Sequence, residues 1–227
     1  MKHQAGFTLF ELLLAISVSS VLIIAMGNFV SVSISGGNED YNRTLVLTNA
    51  KEAVGIVARQ IKAAKSVESA NSLPDANAPG APGNLYSWSG AAGNGATLIL
   101  AVPSRNASGD IIYIDGLHAS LYTDNIIFYL DATTHRLYRR RIANTSAPGN
   151  SALTTCPPKI ASTGCPADAD VVDDVANLVT TYLDSNNNSV SLPSGTEAVN
   201  YTVTETRTIH GTLYSGTYTS IVTMRNK

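Results

Sequence analysis

Between Leu12 and Asn38 the chain runs for 27 residues without one charged side chain. About 20 apolar residues suffice for a helix to cross the hydrocarbon core of a bilayer, so this run predicts a membrane span. Lys2 and His3 precede it, and Glu39 and Asp40 follow it. Positive charge stays on the cytoplasmic side, which predicts the N-terminus inside and the body outside. One residue does not fit a plain span. Glu11 stands at the head of the run, inside FTLFELLLAIS. A charged side chain at the centre of a spanning helix costs about 2.5–3.5 kcal/mol, and less near the interface.

Three readings compete for this segment. A secretory signal peptide would explain the positive start and the small residues Ser31-Val32-Ser33, but its apolar run would be shorter and would not hold Glu11. A plain signal anchor explains the length and leaves Glu11 unexplained. The third reading accounts for both. The stretch AGFTLFELLLAIS resembles the type III signal of type IV pilins and pseudopilins: a short basic leader ending in Gly, an aromatic residue, then Glu at the fifth mature position. Here Met1–Gly6 would be the leader, Phe7 the first mature residue and Glu11 the fifth.

The resemblance implies a fate for each of these residues. A prepilin peptidase would cut between Gly6 and Phe7 at the cytoplasmic membrane face and methylate the Phe7 amine. Gly6 suits a tight cleft because it has no side chain. Glu11 would pair with the N-terminal amine of a neighbouring subunit during assembly. A buried charge met by its opposite is tolerated, whereas a lone one is not. The implied partners are the peptidase, other pilin subunits, an inner-membrane assembly platform and the membrane itself. Many major pilins carry a helix-breaking Pro further along. The matching position here is Asn28, preceded by Gly27, and the segment has no Pro. Gly and Asn weaken a helix modestly where Pro breaks it, so the departure points to a minor subunit.

Beyond Asp40, Leu47, Ala50, Val54, Val57, Ile61 and Ala64 recur every three or four residues, with Lys51, Glu52, Arg59 and Lys62 on the other side. That is one apolar stripe on a helix. The reading is a nearly continuous helix from Phe7 to about Val67, loosened around Gly36-Gly37 and about 90 Å long. NSLPDANAPGAPGN, with three Pro and two Gly, ends it. The predicted organisation is a leader 1–6, a span 7–36, an amphipathic helix 37–70 and a strand-rich head 71–227.

In the head, the runs 97–102, 111–114, 125–130, 136–142, 178–183, 199–209 and the second half of 211–224 read as strands separated by turns. Trp88 is expected to cover an apolar edge. The fold class is therefore α+β: a long N-terminal helix packed on a mainly antiparallel β-sheet, which is a pilin-like layout. The order TLILAVPS…GDIIYID…NIIFYLDATTHRLYRR…NLVTTYLDSNNN also looks like the PilW group of minor pilins and the J-type pseudopilins, through looser motifs.

Cys156 and Cys165 bracket CPPKIASTGC. Outside the cytoplasm they can form one bridge, worth roughly 2–3 kcal/mol for a ring of this size; two free thiols are the alternative. The spacing excludes a CxxC redox motif, and no His stands near to complete a zinc site. His3, His118, His135 and His210 form no constellation, and there is no HExxH, GxSxG or P-loop pattern, so no enzyme is expected. Asp184, Asn186 and Asn188 begin like a calcium loop, but Ser189 and Gly195 occupy the positions of the required Gly and Glu. An Asn-rich hairpin turn is the expectation, with no metal or other cofactor.

Net charge is −2, which draws the chain to no polyanion. Arg136, Arg139, Arg140 and Arg141 form one basic cluster, but strand alternation separates Arg140 from Arg139 and Arg141. A solvated edge strand is expected there, and nucleic acid is not an expected partner. The sequence thus reads as a minor type IV pilin or pseudopilin that primes, caps or decorates a filament. It would be a single-pass membrane protein before it enters the pilus or pseudopilus. A J-type pseudopilin of a type II secretion system is the alternative within that class, and a signal-anchored extracytoplasmic binding protein the alternative outside it.

Overall fold

The computed structural model describes residues 8–90, 92–94, 97–115, 118, 120–191, 193 and 195–225. The leader, including Gly6, and Phe7 lie outside the described residues. The chain divides into two compact units, Met1–Thr44 and Leu45–Lys227. Helix α1, Leu9–Ala63, contributes to both.

In the first unit α1 is uninterrupted. The expected loosening at Gly36-Gly37 does not occur, and the helix also passes Gly27 and Asn28 without a break. A missing side chain costs a helix only about 1 kcal/mol, which neighbouring helical residues absorb.

In the second unit α1 buries Val46, Ala50, Ala53, Val54, Val57 and Ile61. The stripe differs from the sequence reading at its start: Val46 is buried and Leu47 is 47% exposed. Gly216 explains the shift. A Cβ there would sit 2.7 Å from Leu47 N and 2.8 Å from Val46 C, so bare helix backbone occupies the space of a side chain. The helix also stops earlier than expected. Ser66–Glu68 forms strand β1, and Val67 pairs with Leu100. Lys65 N–H donates to Ala101 O at 2.8 Å, so the sheet takes up a backbone donor just past the helix end.

Nine further strands follow: β2 Gly93–Asn94, β3 Leu98–Pro103, β4 Thr123–Asp131, β5 Arg136–Ile142, β6 Ala169–Val172, β7 Val175–Leu183, β8 Ser189–Val190, β9 Ala198–Ile209 and β10 Thr212–Thr223. They form two antiparallel sheets where one was expected. The orders are β1-β3-β4-β5-β6 and β10-β9-β7-β2, with β8 also on β7. The expected strand at 111–114 is reduced to isolated bridges, Arg105↔Ile111 and Tyr113↔Leu121, and Ile114 is exposed. Apolar composition marked that run, but among the described residues no neighbouring strand gives it a ladder.

One core joins the helix to both sheets. It contains Val54, Val57 and Ile61 of α1, Leu100, Ile126, Phe128 and Leu137 of the first sheet, and Leu178, Tyr182, Val199 and Val203 of the second. A smaller core lies on the other face of the first sheet, where Ala78 and Trp88 from the loop after β1 pack on Ile99, Ile127 and Ile142. The first sheet is therefore covered on both faces, which fixes the environment of the arginine cluster.

Candidate functional site

Glu11 sits in the first turn of α1, and Thr8 stands just before its first residue, Leu9. Glu11 Oε2 accepts the Thr8 N–H at 2.9 Å and the Thr8 hydroxyl at 3.0 Å. Thr8 Oγ1 in turn accepts the Glu11 N–H at 3.3 Å. This is a capping box: each side chain satisfies a backbone donor that the helix start leaves without a partner. The T-x-x-E spacing is the sequence signal for this role, alongside the pairing with a neighbouring subunit that the pilin resemblance implies for Glu11. Glu11 thus has a role within its own chain. Its other oxygen has no hydrogen bond among the described residues, and can accept one from a donor outside the helix.

Past Glu11 the helix exposes its apolar side chains all round. Leu14, Ile16, Val21, Ile23, Met26 and Phe29 are each more than half exposed. Ser17 and Ser20 return their hydroxyls to the carbonyls of Leu14 and Ile16, so they present no free donor to a surrounding apolar medium. The run ends where Glu39 pairs with Arg43 one turn on. A helix that is apolar on every face suits a membrane or the interior of a helical bundle.

In the head, Cys156 and Cys165 are joined by a disulfide with Cα atoms 5.5 Å apart. The ring closes over a short 3-10 turn, Pro158–Ile160. The chain then returns to Cys156: Cys156 N–H donates to Pro166 O at 2.8 Å, and Asp168 N–H donates to Cys156 O at 2.7 Å.

Asp168 leads to the arginine cluster, where the expectation of a solvated edge is overturned. β5 is an interior strand, paired with both β4 and β6. Phe128 pairs with Arg139 and Ile127 with Arg140, so Arg139 shares the helix-side face and Arg140 takes the other. Loop residues cover that other face, and Arg140 is 1% exposed. Its Nη2 donates to Asp168 Oδ2 at 2.8 Å, and its Nε approaches both oxygens of the same carboxylate at 3.1 and 3.2 Å. Nη1 donates to Asp75 Oδ2 at 2.9 Å and Asn77 O at 3.0 Å. The guanidinium carbon also lies 5.4 Å from the Trp88 ring centroid and 5.8 Å from that of Tyr129.

Every member of this cluster has partners. Trp88 Nε1–H donates to Asp75 at 2.7 Å, Tyr129 O–H to Asp168 at 2.7 Å, and Thr155 O–H to Asp168 at 2.6 Å. Burial by itself disfavours the charge on Arg140. The bonds and charges of Asp168 and Asp75 outweigh it and hold its pKa above the ordinary value. Burial and the bond to Asp168 push the Tyr129 hydroxyl up as well. A satisfied network of this kind fastens the 71–90 loop and the disulfide loop to one sheet. It offers no open coordination position and no reactive group.

The remaining candidates are local. Asp184 accepts the backbone N–H groups of Asn186 and Asn188, and Asn187 has φ 61°, which makes a hairpin turn between β7 and β8. Among the described residues no group of acidic, His or Cys side chains is placed to hold a metal. Glu205 on β9 was not singled out by sequence. It is fully buried, receives a 3.1 Å hydrogen bond from Asn49 of α1, and has its second oxygen without a partner.

The helix, the two antiparallel sheets and the apolar N-terminal run define an α+β, pilin-like protein. Residues 1–27 match the family described as the prokaryotic N-terminal methylation motif. No curated protein matches the chain. The motif is of the prepilin type and supports a structural, pilin-like role. It implies processing by a prepilin peptidase and assembly with other pilins. With the apolar helix, it supports a membrane-anchored, pilus-associated protein.

Proposed function

We propose that the chain is a minor type IV pilin or pseudopilin. It is inserted as a prepilin, cut between Gly6 and Phe7, methylated on Phe7, and built into a filament through α1, with the head outside the cytoplasm. There it primes, caps or decorates the filament. The observation that carries this reading is the methylation motif over residues 1–27, continuing directly into an apolar helix. The absence of a Pro near Asn28 favours a minor subunit, and the PilW-like and J-type phrasing of the head agrees with it. Glu11 keeps its capping role in this reading and receives the Phe7 amine of the next subunit on its remaining oxygen.

Intact-mass measurement of membrane-extracted protein tests the processing. Loss of Met1–Gly6 with one added methyl group is the expected result. Cleavage near Ser33, or no cleavage, refutes it. Glu11→Gln and Glu11→Ala are expected to insert normally and to enter filaments poorly. Normal incorporation of both removes the assembly role of Glu11.

A further inference from the structure

Sheet edges expose backbone groups that can pair with another chain, and proteins blunt them with short strands, charges or Pro. The edge strands β1, β6 and β2 have 3, 4 and 2 residues. The fourth edge, β10, has 12 residues, TLYSGTYTSIVT, with no charge and no Pro. Among the described residues no strand pairs with its outer side.

The hairpin sets which groups point outward. His210 and Gly211, with φ 50° and 82°, form a two-residue turn, and Ile209 pairs with Thr212. Such a turn makes its closing residues a hydrogen-bonded pair, and bonded pairs then recur at every second residue. The even-numbered residues of β10 therefore bond β9. The odd-numbered ones, from Leu213 to Thr223, aim N–H and C=O outward. Their side chains lie on the solvent face. Leu213 is 66% exposed and Ile221 61%.

These residues form a pattern symmetric about Thr217. Ser215 and Thr219 stand on either side of it, and Leu213 and Ile221 lie beyond them. A half-turn about an axis normal to the sheet at Thr217 places a second copy so that Thr217 faces Thr217, Ser215 faces Thr219, and Leu213 faces Ile221. Each apolar side chain meets an apolar one, and each hydroxyl a hydroxyl. The hydroxyl pairs Thr202–Thr219 at 2.8 Å and Thr204–Thr217 at 3.1 Å continue across the junction.

We propose that β10 is a docking edge for β10 of a second copy of this chain, joined antiparallel about Thr217 into one continuous sheet. The contact is isologous: main-chain hydrogen bonds supply its affinity, and the side-chain pattern about Thr217 sets its register. It also has a direction. Asn49 bonds Glu205, and the carbonyls of Ala53 and Val54 accept from Tyr201, so α1 runs against β9 and along β10. The half-turn reverses that sense in the second copy. Under the filament reading, neighbours within one filament share polarity, so this pair joins heads carried on two filaments that run in opposite directions.

Variants of the full chain that each add one cysteine beside the Cys156–Cys165 disulfide, in detergent under mild oxidation, test the register. In the proposed pair the two Thr217 Cα atoms are about 5.5 Å apart, inside the ~4.4–6.8 Å range that a disulfide spans. The two Ser215 Cα atoms are about 14 Å apart, at ~3.4 Å per residue along the strand. Thr217→Cys is expected to give at least tenfold more covalent dimer than Ser215→Cys. Mixing Leu213→Cys with Ile221→Cys chains is expected to give a dimer that neither forms alone. Both positions are exposed, and unchanged Trp88 emission checks the fold. No excess of dimer from Thr217→Cys, or equal dimer from both positions, overturns the proposal. The readout is independent of leader cleavage, so its failure is distinguishable from failure of the filament reading.

Discussion

Glu205 makes the stability of the head depend on pH in an unusual direction. The side chain is fully buried, its Oε1 accepts from Asn49, and Oε2 has no partner. Burial is the main cause that pushes its carboxyl from 4.5 up to about 7. The bond from Asn49 works the other way, while the nearby charges of Asp173 and Asp174 raise it further. Arg207 offsets only part of this, standing 3.6 Å from Asp174. The folded state then holds a proton that the unfolded chain has lost, so stability falls as pH rises from about 4.5 through about 7. At roughly 1.4 kcal/mol per pH unit, the loss is on the order of 3 kcal/mol. Glu205→Gln keeps the acceptor for Asn49 and removes the charge. Urea unfolding of the detergent-extracted chain, followed through the lone Trp88, measures both proteins at pH 5 and pH 8. The wild type is expected to lose about 2–3 kcal/mol over this range relative to the variant, and the variant to be the more stable at pH 8. Equal pH slopes for the two proteins would refute the reasoning.

Two further outcomes follow from the packing. Arg140→Met leaves Asp75 and Asp168 buried without their cation, and is expected to cost about 3–5 kcal/mol, read as a drop in urea midpoint. Arg140→Lys should recover only part of this, because an ammonium cannot repeat the fork that holds Asp168 and Asp75 together. Gly216→Ala puts a methyl against the Val46–Leu47 backbone and is expected to cost about 1–3 kcal/mol, with faster amide exchange in the first docked turn of α1. An unchanged Tm for Gly216→Ala would contradict the close approach.

Much of the scaffold was legible because it rests on periodicity. The apolar run, the stripe through Val54, Val57 and Ile61, and the alternation in β9 each carry a pattern that survives folding. The misreadings fall where a local pattern depends on a distant neighbour. Arg140 read as solvated because alternation assigns a side of a strand and not what covers it; here the covering loops come from about 65 and 28 residues away. Val67 read as helical because nothing local announces that β3 will capture the chain after Ala64. Leu47 was placed in the stripe because Gly216, far along the sequence, was needed to rotate the contact onto Val46. Glu11 was legible as an exception, but its capping partner Thr8 was overlooked although both lie within one turn.

The Arg140 cluster also bears on how much the head can vary. The segment from Asn71 to Gly90 is held through Asn71, Asp75, Asn77, Ala78 and Trp88, and its tip through Gly80, Ser87 and Asn84, while Pro74, Ala76, Pro79, Pro82 and Gly83 face solvent. The fastening positions and the displayed ones are separate. Its outward residues can therefore be rewritten, by natural drift or by grafting a foreign epitope, while the anchors keep the loop seated on the same sheet.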